Sequence, residues 1–270
     1  MEILIIGGGF MGEAFAKGLM QKGNVPKSDI IIVEVNKERR TELSNQGYTV
    51  RENVFEACDS ASVILVAIKP QDINHLTNLG NYISQETLLI SIAAGISIPT
   101  IQKITKHTSV IRVMPNLPAA IGEGAIVYLV SDKITVEQKN IAKVIFDAVS
   151  TIAIEVQNES EINLATAVHG SGPAYVFLLM ESMIEAAVTL GMPRADALAL
   201  VRSTVKGSAI YANEGNVLPQ ELRNAVTSPG GTTEAAIAKL EALGFQNSLN
   251  EAIKAAFTKA NDLGKSNNRN

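Results

Sequence analysis

Hydrophobic residues in the first part of the chain come in short, dense runs. They lie at 3–6, 30–33, 63–68, 88–93, 110–114 and 125–130, with a last run at 152–156. Stretches at 14–22 and 136–149 between them have the 3.6-residue period of helices instead. Continuous Val/Ile/Leu runs separated by helices predict a parallel sheet covered on both faces. Beyond about residue 160 the strand signal stops. Val176, Met180, Met183 and Ala187 recur at helical spacing within 173–190. The stretch 195–213 is rich in Ala, Ser, Val and Gly, and small residues permit close helix approach. Ile237, Leu240 and Leu243 share one face of a helix opening at Thr232, and Leu249, Ile253, Phe257 and Ala260 mark a last helix. The expected fold class is α/β: an N-terminal Rossmann-type parallel-sheet domain at 1–158, then an all-helical domain at 159–270. The polar tail 264–270 is expected to fray.

Composition narrows the classes. At 270 residues the chain has ample length for a proper core. Mean hydropathy is +0.17, yet no run approaches the ~20 apolar residues of a membrane span. The surplus points to burial between subunits. The first apolar run passes straight into a glycine loop, so no signal peptide is expected. One cysteine, Cys58, excludes an internal disulfide and fits a reducing, cytoplasmic setting. A net charge of −4 without basic blocks argues against nucleic acid. His75, His107 and His169 lie far apart, so no metal site is expected.

Candidate chemistry begins at Ile3–Ile6, followed by Gly7-Gly8-Gly9-Phe10-Met11-Gly12. Gly7, Gly9 and Gly12 fit G-x-G-x-x-G in its strand-then-helix context, which binds a dinucleotide pyrophosphate at a helix start. Phe10 and Met11 belong to the same loop. Glu34 ends the second strand at the distance where an acid accepts hydrogen bonds from the adenosine ribose, about 20 residues on. An acid there repels a 2′-phosphate and favours NADH, although Lys37, Arg39 and Arg40 follow and could hold such a phosphate. Ala67, Lys69 and Pro70 follow one strand and Asn116 another. Ligands sit beyond the carboxyl ends of parallel strands, so Lys69, Pro70 and Asn116 are candidates to border ribose and nicotinamide. Far downstream, Thr227-Ser228-Pro229-Gly230-Gly231-Thr232-Thr233-Glu234 reads as a glycine turn opening a helix. Such a start offers N–H groups and partial positive charge to a carboxylate or phosphate. Gly170-Ser171-Gly172-Pro173 reads as a loop that caps the first long helix, with Pro173 near its first position. His169 beside it is read as structural.

With these segments in order, the chain resembles the pyrroline-5-carboxylate reductase family over nearly its full length. The resemblance rests on the N-terminal glycine loop, Ala67-Ile68-Lys69-Pro70-Gln71, Ser91-Ile92-Ala93-Ala94-Gly95, Arg112-Val113-Met114-Pro115-Asn116, Gly170-Ser171-Gly172-Pro173-Ala174-Tyr175, Leu190-Gly191-Met192-Pro193-Arg194 and, most specifically, Ser228-Pro229-Gly230-Gly231-Thr232-Thr233. It implies NAD(P)H-dependent reduction of 1-pyrroline-5-carboxylate to L-proline and a helical dimerisation domain. It implies that Ser228, Gly230, Gly231, Thr232 and Thr233 hold the substrate carboxylate, with Thr233 near the imine nitrogen. Two departures stand out. Many members have Asn-Thr-Pro where this chain has Asn116-Leu117-Pro118. NADPH-preferring members often have Asn-Arg where this chain has Glu34-Val35. The expected partners are a small imino acid and a second copy of the chain, with a higher assembly of dimers open. Another cyclic imine, or a non-catalytic cofactor-binding paralogue, is the alternative. A hydroxy-acid dehydrogenase is disfavoured because 161–172 has no lysine.

Overall fold

The computed structural model describes residues 1–215 and 217–267, the side chains of 266 and 267 excepted. Residues 268–270, part of the tail expected to fray, lie outside the described residues. Their neighbours from Gly264 to Asn267 are helical.

Eight strands form one sheet: β1 Ile3–Ile6, β2 Ile30–Val33, β3 Thr49–Arg51, β4 Val63–Val66, β5 Leu88–Ser91, β6 Val110–Met114, β7 Gly124–Val130 and β8 Ser150–Glu155, in the spatial order β3-β2-β1-β4-β5-β6-β7-β8. The helices are α1 Phe10–Gln21, α2 Lys37–Asn45, α3 Ile98–Thr105, α4 Val136–Asp147, α5 Glu159–Ala165, α6 Gly172–Thr189, α7 Arg194–Asn213, α8 Pro219–Ala225, α9 Thr232–Ala242 and α10 Phe245–Asn267. The polypeptide divides into two compact units. A sheet unit comprises Met1–Ser171 with α10 from Ala256 onward, and a helical unit comprises Gly172–Ala255. The sequence boundary at 158/159 marks where strands end. The compact division falls later because α5 groups with the sheet.

Alternation along β1 explains the core. Ile3 and Ile5 join Phe15, Leu19, Ile30, Ile32 and Phe146 on one face of the sheet. Leu4 and Ile6 join Ile64, Val66, Leu89, Ile98 and Ile101 on the other. All four β1 side chains are at most 4% exposed, each burial contributing roughly 1.5–3 kcal/mol. This two-sided burial is why the run reads as continuous rather than alternating.

The expectation of an all-parallel sheet is corrected at one place. β7 runs antiparallel to β6, with Ile111 opposite Val130 and Met114 opposite Val127, whereas β8 returns parallel to β7. Only residues 115–123 join β6 to β7, and a parallel return needs a crossover of a dozen or more residues. α4 supplies that crossover for β8. Its start is fixed by a capping box between Thr135 and Gln138.

In the helical unit, Ile184, Ala197 and Val201 are the buried hydrophobic residues, packed by Met180, Ala187, Val188, Leu198 and Val205 where α6 meets α7. Phe177, Leu178, Leu190 and Tyr211 stay exposed. Arg194 closes the α6–α7 turn with a bidentate pair to Glu185 at 2.8 and 2.9 Å. No helix among the described residues is long and apolar enough to cross a membrane.

Candidate active site

The glycine loop lies beyond the carboxyl ends of β1, β2 and β4. Gly7 N–H bonds to Val33 O at 2.8 Å, and Ala67 N–H to Ile6 O at 2.7 Å, so three strand ends meet there. Gly7 has φ +106°, and a Cβ on it would lie 2.6 Å from Ala67 O. A Cβ on Gly12 would lie 1.9 Å from Gly7 O. Both positions are closed to any side chain by backbone. Gly9 is the opposite: a Cβ there would meet nothing within 4 Å. Gly9 is also the N-cap of α1, with no side chain capping the helix. The first-turn N–H groups of Phe10, Met11 and Gly12 have no intrahelical acceptor. An open, uncapped helix start is what a pyrophosphate requires.

Glu34 sits against this loop. Its Oε2 accepts the Gly8 N–H at 3.0 Å and its Oε1 the Asn36 N–H at 2.8 Å. Arg39 reaches the loop from α2, donating from Nε to Gly8 O at 2.8 Å, from Nη1 to Glu42 at 2.8 Å, and from Nη2 to Glu13 of α1. Glu13 also pairs with Lys17 at 2.7 Å. Burial pushes the Glu13 carboxyl up, but the pairs with Lys17 and Arg39 outweigh it and hold it below the usual carboxylate value. Glu42 and then Glu13 raise the Arg39 guanidinium further against a smaller burial effect. Arg40 points away, to the carbonyls of Glu34 and Val35 at 3.0 and 2.7 Å and to Glu52 at 2.8 Å.

After β4, exposed Lys69 precedes a 3₁₀ turn whose first residue is Pro70. After β6, Asn116 is spent on backbone: its Oδ1 accepts the Ala125 N–H at 2.9 Å and its Nδ2 donates to His169 O at 3.3 Å. His169 in turn holds Met114 O against Nε2 at 2.9 Å and Ala165 O against Nδ1 at 2.6 Å. A ring enclosed by main-chain oxygens ties β6 to the end of α5 and suits a structural role.

The segment 170–173 is not the capping loop read from the sequence. α5 continues through a π-helical turn, Thr166–Gly170, straight into α6. Pro173 has no N–H, so His169 O would lack its helical donor. The wider turn turns that carbonyl to Asn116 instead. π-turns of this kind often occur at functional sites.

In the helical unit, Gly230 has φ +72° and Gly231 caps α9 without a side-chain bond. The turn consumes the N–H groups of both glycines: Gly230 N–H goes to Glu234 Oε2 at 2.8 Å and Gly231 N–H to Ser228 O at 3.0 Å. Thr232 and Thr233 open the first helical turn, Thr232 exposed and Thr233 half-buried. Glu234 remains exposed in the first helical turn, with its carboxylate reaching back to the Gly230 N–H.

Comparison with known proteins matches these two halves. Residues 159–263 fit the family model described as pyrroline-5-carboxylate reductase dimerisation, and residues 2–95 fit NADP oxidoreductase coenzyme F420-dependent. The pyrroline-5-carboxylate reductase of Synechocystis sp. is 38% identical over 268 residues, 98% of this chain and 99% of the relative. The chain belongs to the pyrroline-5-carboxylate reductase family. A solved pyrroline-5-carboxylate reductase from Coxiella burnetii is 33% identical with a TM-score of 0.88, covering 97% of this chain and 98% of that one. The Plasmodium falciparum pyrroline carboxylate reductase, solved with NADP bound, is 29% identical with a TM-score of 0.88 and covers 98% of each chain.

Within this family frame, sequence reasoning missed Glu13 and the role of Arg39 as its partner. Glu13 lies in the first turn of α1, just ahead of the helical stretch read from the sequence, and only the fold brings it to α2. Among the described residues, no group of three His, Cys, Asp or Glu side chains is placed to hold a metal.

Proposed function

We propose that this chain reduces the C=N bond of 1-pyrroline-5-carboxylate to give L-proline. The observation that carries the reading is 38% identity to a pyrroline-5-carboxylate reductase across 98% of the chain. It is an NAD(P)H-dependent oxidoreductase, and bound NAD(P)H supplies the hydride. The residues fit that cofactor. Gly7 and Gly12 are packed tight, so Gly9 leaves the α1 start open for the pyrophosphate. The N–H groups of Phe10, Met11 and Gly12 hold its charge. Glu34, prepositioned by two N–H groups, accepts from the adenosine ribose, which favours NADH over NADPH. Ala67, Lys69 and Pro70 border the ribose and nicotinamide. Asn116 shapes the loop beside them, its amide being spent on backbone.

Ser228, Gly230, Gly231, Thr232 and Thr233 hold the substrate carboxylate at the start of α9. The N–H groups of Thr232 and Thr233 do most of this, because those of Gly230 and Gly231 are used within the turn. The Thr233 hydroxyl donates a hydrogen bond to the neutral imine nitrogen and relays to it a proton that it regains from solvent. It need not be a strong acid, since a protonated imine is itself the better hydride acceptor.

Residues 1–158 form the cofactor domain and 159–270 the dimerisation and substrate domain. The protein works as a homodimer in the cytoplasm, with dimers able to form a larger assembly. The sparse core of α6 and α7 supports a second copy covering their apolar faces.

The test is loss of reduced-nicotinamide absorbance with pyrroline-5-carboxylate, run in parallel with NADH and NADPH. Faster turnover with NADH is expected. A folded protein that binds cofactor but turns over neither would sink the activity. Faster turnover with NADPH would sink only the ribose argument for Glu34.

A further inference from the structure

One glycine carries two opposite charges. Gly8 gives its N–H to Glu34 and its carbonyl to Arg39 Nε. The guanidinium and the carboxylate therefore flank the end of β2, where the adenosine ribose is proposed to bind, and the inference rests on that proposal. The outer nitrogens of Arg39 are engaged by Glu42 and Glu13. Glu42 lies three residues away on the same helix and is 62% exposed, so water exchanges with that pair easily. Glu13 comes from a different helix and is 15% exposed. It is the acid that fixes the guanidinium.

We propose that Glu13 sets the cofactor preference of this chain by withholding Arg39 from a 2′-phosphate. Glu13, Lys17, Arg39 and Glu42 are two acids and two bases in contact, and their charges cancel. Glu34 leaves the surroundings of the ribose negative. A 2′-hydroxyl needs only an acceptor, and Glu34 is one. A 2′-phosphate needs a cationic fork, and the nearest fork is already closed by a carboxylate. Arg40 offers no substitute, since its Nη1 is committed to the main-chain carbonyls of Glu34 and Val35, which leaves it no open fork. Lys37 is exposed at the start of α2, a point charge without fork geometry. Replacing Glu13 by glutamine keeps the shape and removes the charge. Arg39 then stays anchored to Gly8 by Nε, and its Nη2, no longer paired with a negative charge, is open to exchange its partner for a 2′-phosphate.

The experiment is calorimetric binding of ADP and of 2′,5′-ADP to the full chain. These probes report the adenosine end whether or not the proposed substrate is right. Wild type is expected to bind ADP more tightly. Glu13→Gln should move the affinity ratio toward 2′,5′-ADP by on the order of tenfold, and added salt should erode the gain. Glu13→Asp keeps the charge and should stay nearer the wild-type ratio. Adding Arg39→Gln to Glu13→Gln should cancel the gain. The kcat/KM ratio of NADPH to NADH should follow the same order. The proposal is overturned if Glu13→Gln moves both nucleotides equally, because Glu13 then only supports the loop. A gain that survives Arg39→Gln overturns it as well. If Glu13→Gln unfolds, Arg39→Gln alone decides: an unchanged ratio is expected, and a selective loss of 2′,5′-ADP means Arg39 already serves the phosphate. Failure of folded wild type to bind either nucleotide overturns both this inference and the cofactor site beneath it.

Discussion

The sheet unit and the helical unit bury their residues in different ways. In the first, β1, β4 and β5 hide every side chain on both faces, and helices close over each. In the second, two of the longest helices bury only Ile184, Ala197 and Val201 and leave Phe177, Leu178, Leu190 and Tyr211 in solvent. The buried polar residues follow the same division: His107, Arg112, Gln138 and the others all lie in the sheet unit among the described residues. A unit that hides its own surface can hold a cofactor loop rigidly. A unit that does not is left with apolar faces to cover, the part proposed above for a second copy of the chain.

The largest expected effect strikes the rigid side. Gly12→Ala drives a methyl group into the backbone oxygen of Gly7, which cannot give way as a flexible side chain would. Thermal unfolding should show a loss of a few kcal/mol, and calorimetry should find no cofactor binding. Gly9→Ala, facing open space, should stay within about 0.5 kcal/mol of wild-type stability while weakening the cofactor. Equal stability of the two variants would break the picture of a closed loop with one open side.

Next comes the uncovered side. Leu178→Asp on α6 should turn the dimer into monomer in light scattering at micromolar concentration, with circular dichroism retained. A wild type that is already monomeric would remove the reason given for the exposed apolar residues. A smaller effect is expected from Thr233→Val, which keeps shape and loses the hydroxyl. It should lower kcat by about a hundredfold, the low end for losing a proton-transfer group, with Thr233→Ser recovering most of it. Unchanged kcat would leave Thr233 no part at the imine nitrogen.

The smallest effect is a pH dependence of the sheet unit. Burial pushes the His107 imidazole down, partly offset by its bond to Thr87 O. The unfolded chain then takes up a proton that the folded one resists. Stability is full above the ordinary histidine range and falls as pH drops through it. Glu13, held low, contributes above the ordinary carboxylate value, and that share is lost at still lower pH as it protonates. His107→Gln should erase the first step of a pH–melting curve and Glu13→Gln the second. A curve that stays flat in wild type would refute both.

Burial made the strands of the sheet unit legible as apolar runs, and apolar spacing made the helices of the other unit legible even where, as in α9, no residue is buried. β1, β2 and β6 coincide with their apolar runs, and α6, α7 and α9 with their helical spacing. Elements without that imprint were not. α2, KERRTELSN, buries only Leu43, so no apolar stripe marks it, and three-residue β3 lies at the sheet edge with mixed composition. The reversal of β7 is set by the length of a connection, not by the strand itself. At the candidate site, glycines and threonines announced themselves by type. The bonds that consume the Asn116 amide and the Gly230 N–H, and the pair between Glu13 and Arg39, join residues that only the fold or turn brings together.

The sheet unit is also discontinuous along the chain, and this bears on how it is made. All eight strands are complete by Glu155, yet α5 receives a partner much later, when Asn163 Nδ2 donates to Asn261 Oδ1 at 3.0 Å. On a ribosome adding residues at roughly 5–20 per second, several seconds separate the emergence of these two asparagines. The nascent sheet has time to close on its own, while α5 waits for the helical unit to be synthesised. Released chains that end just before residue 261 and chains that run to residue 270 would separate a cofactor loop that is already formed from a unit that is not yet whole.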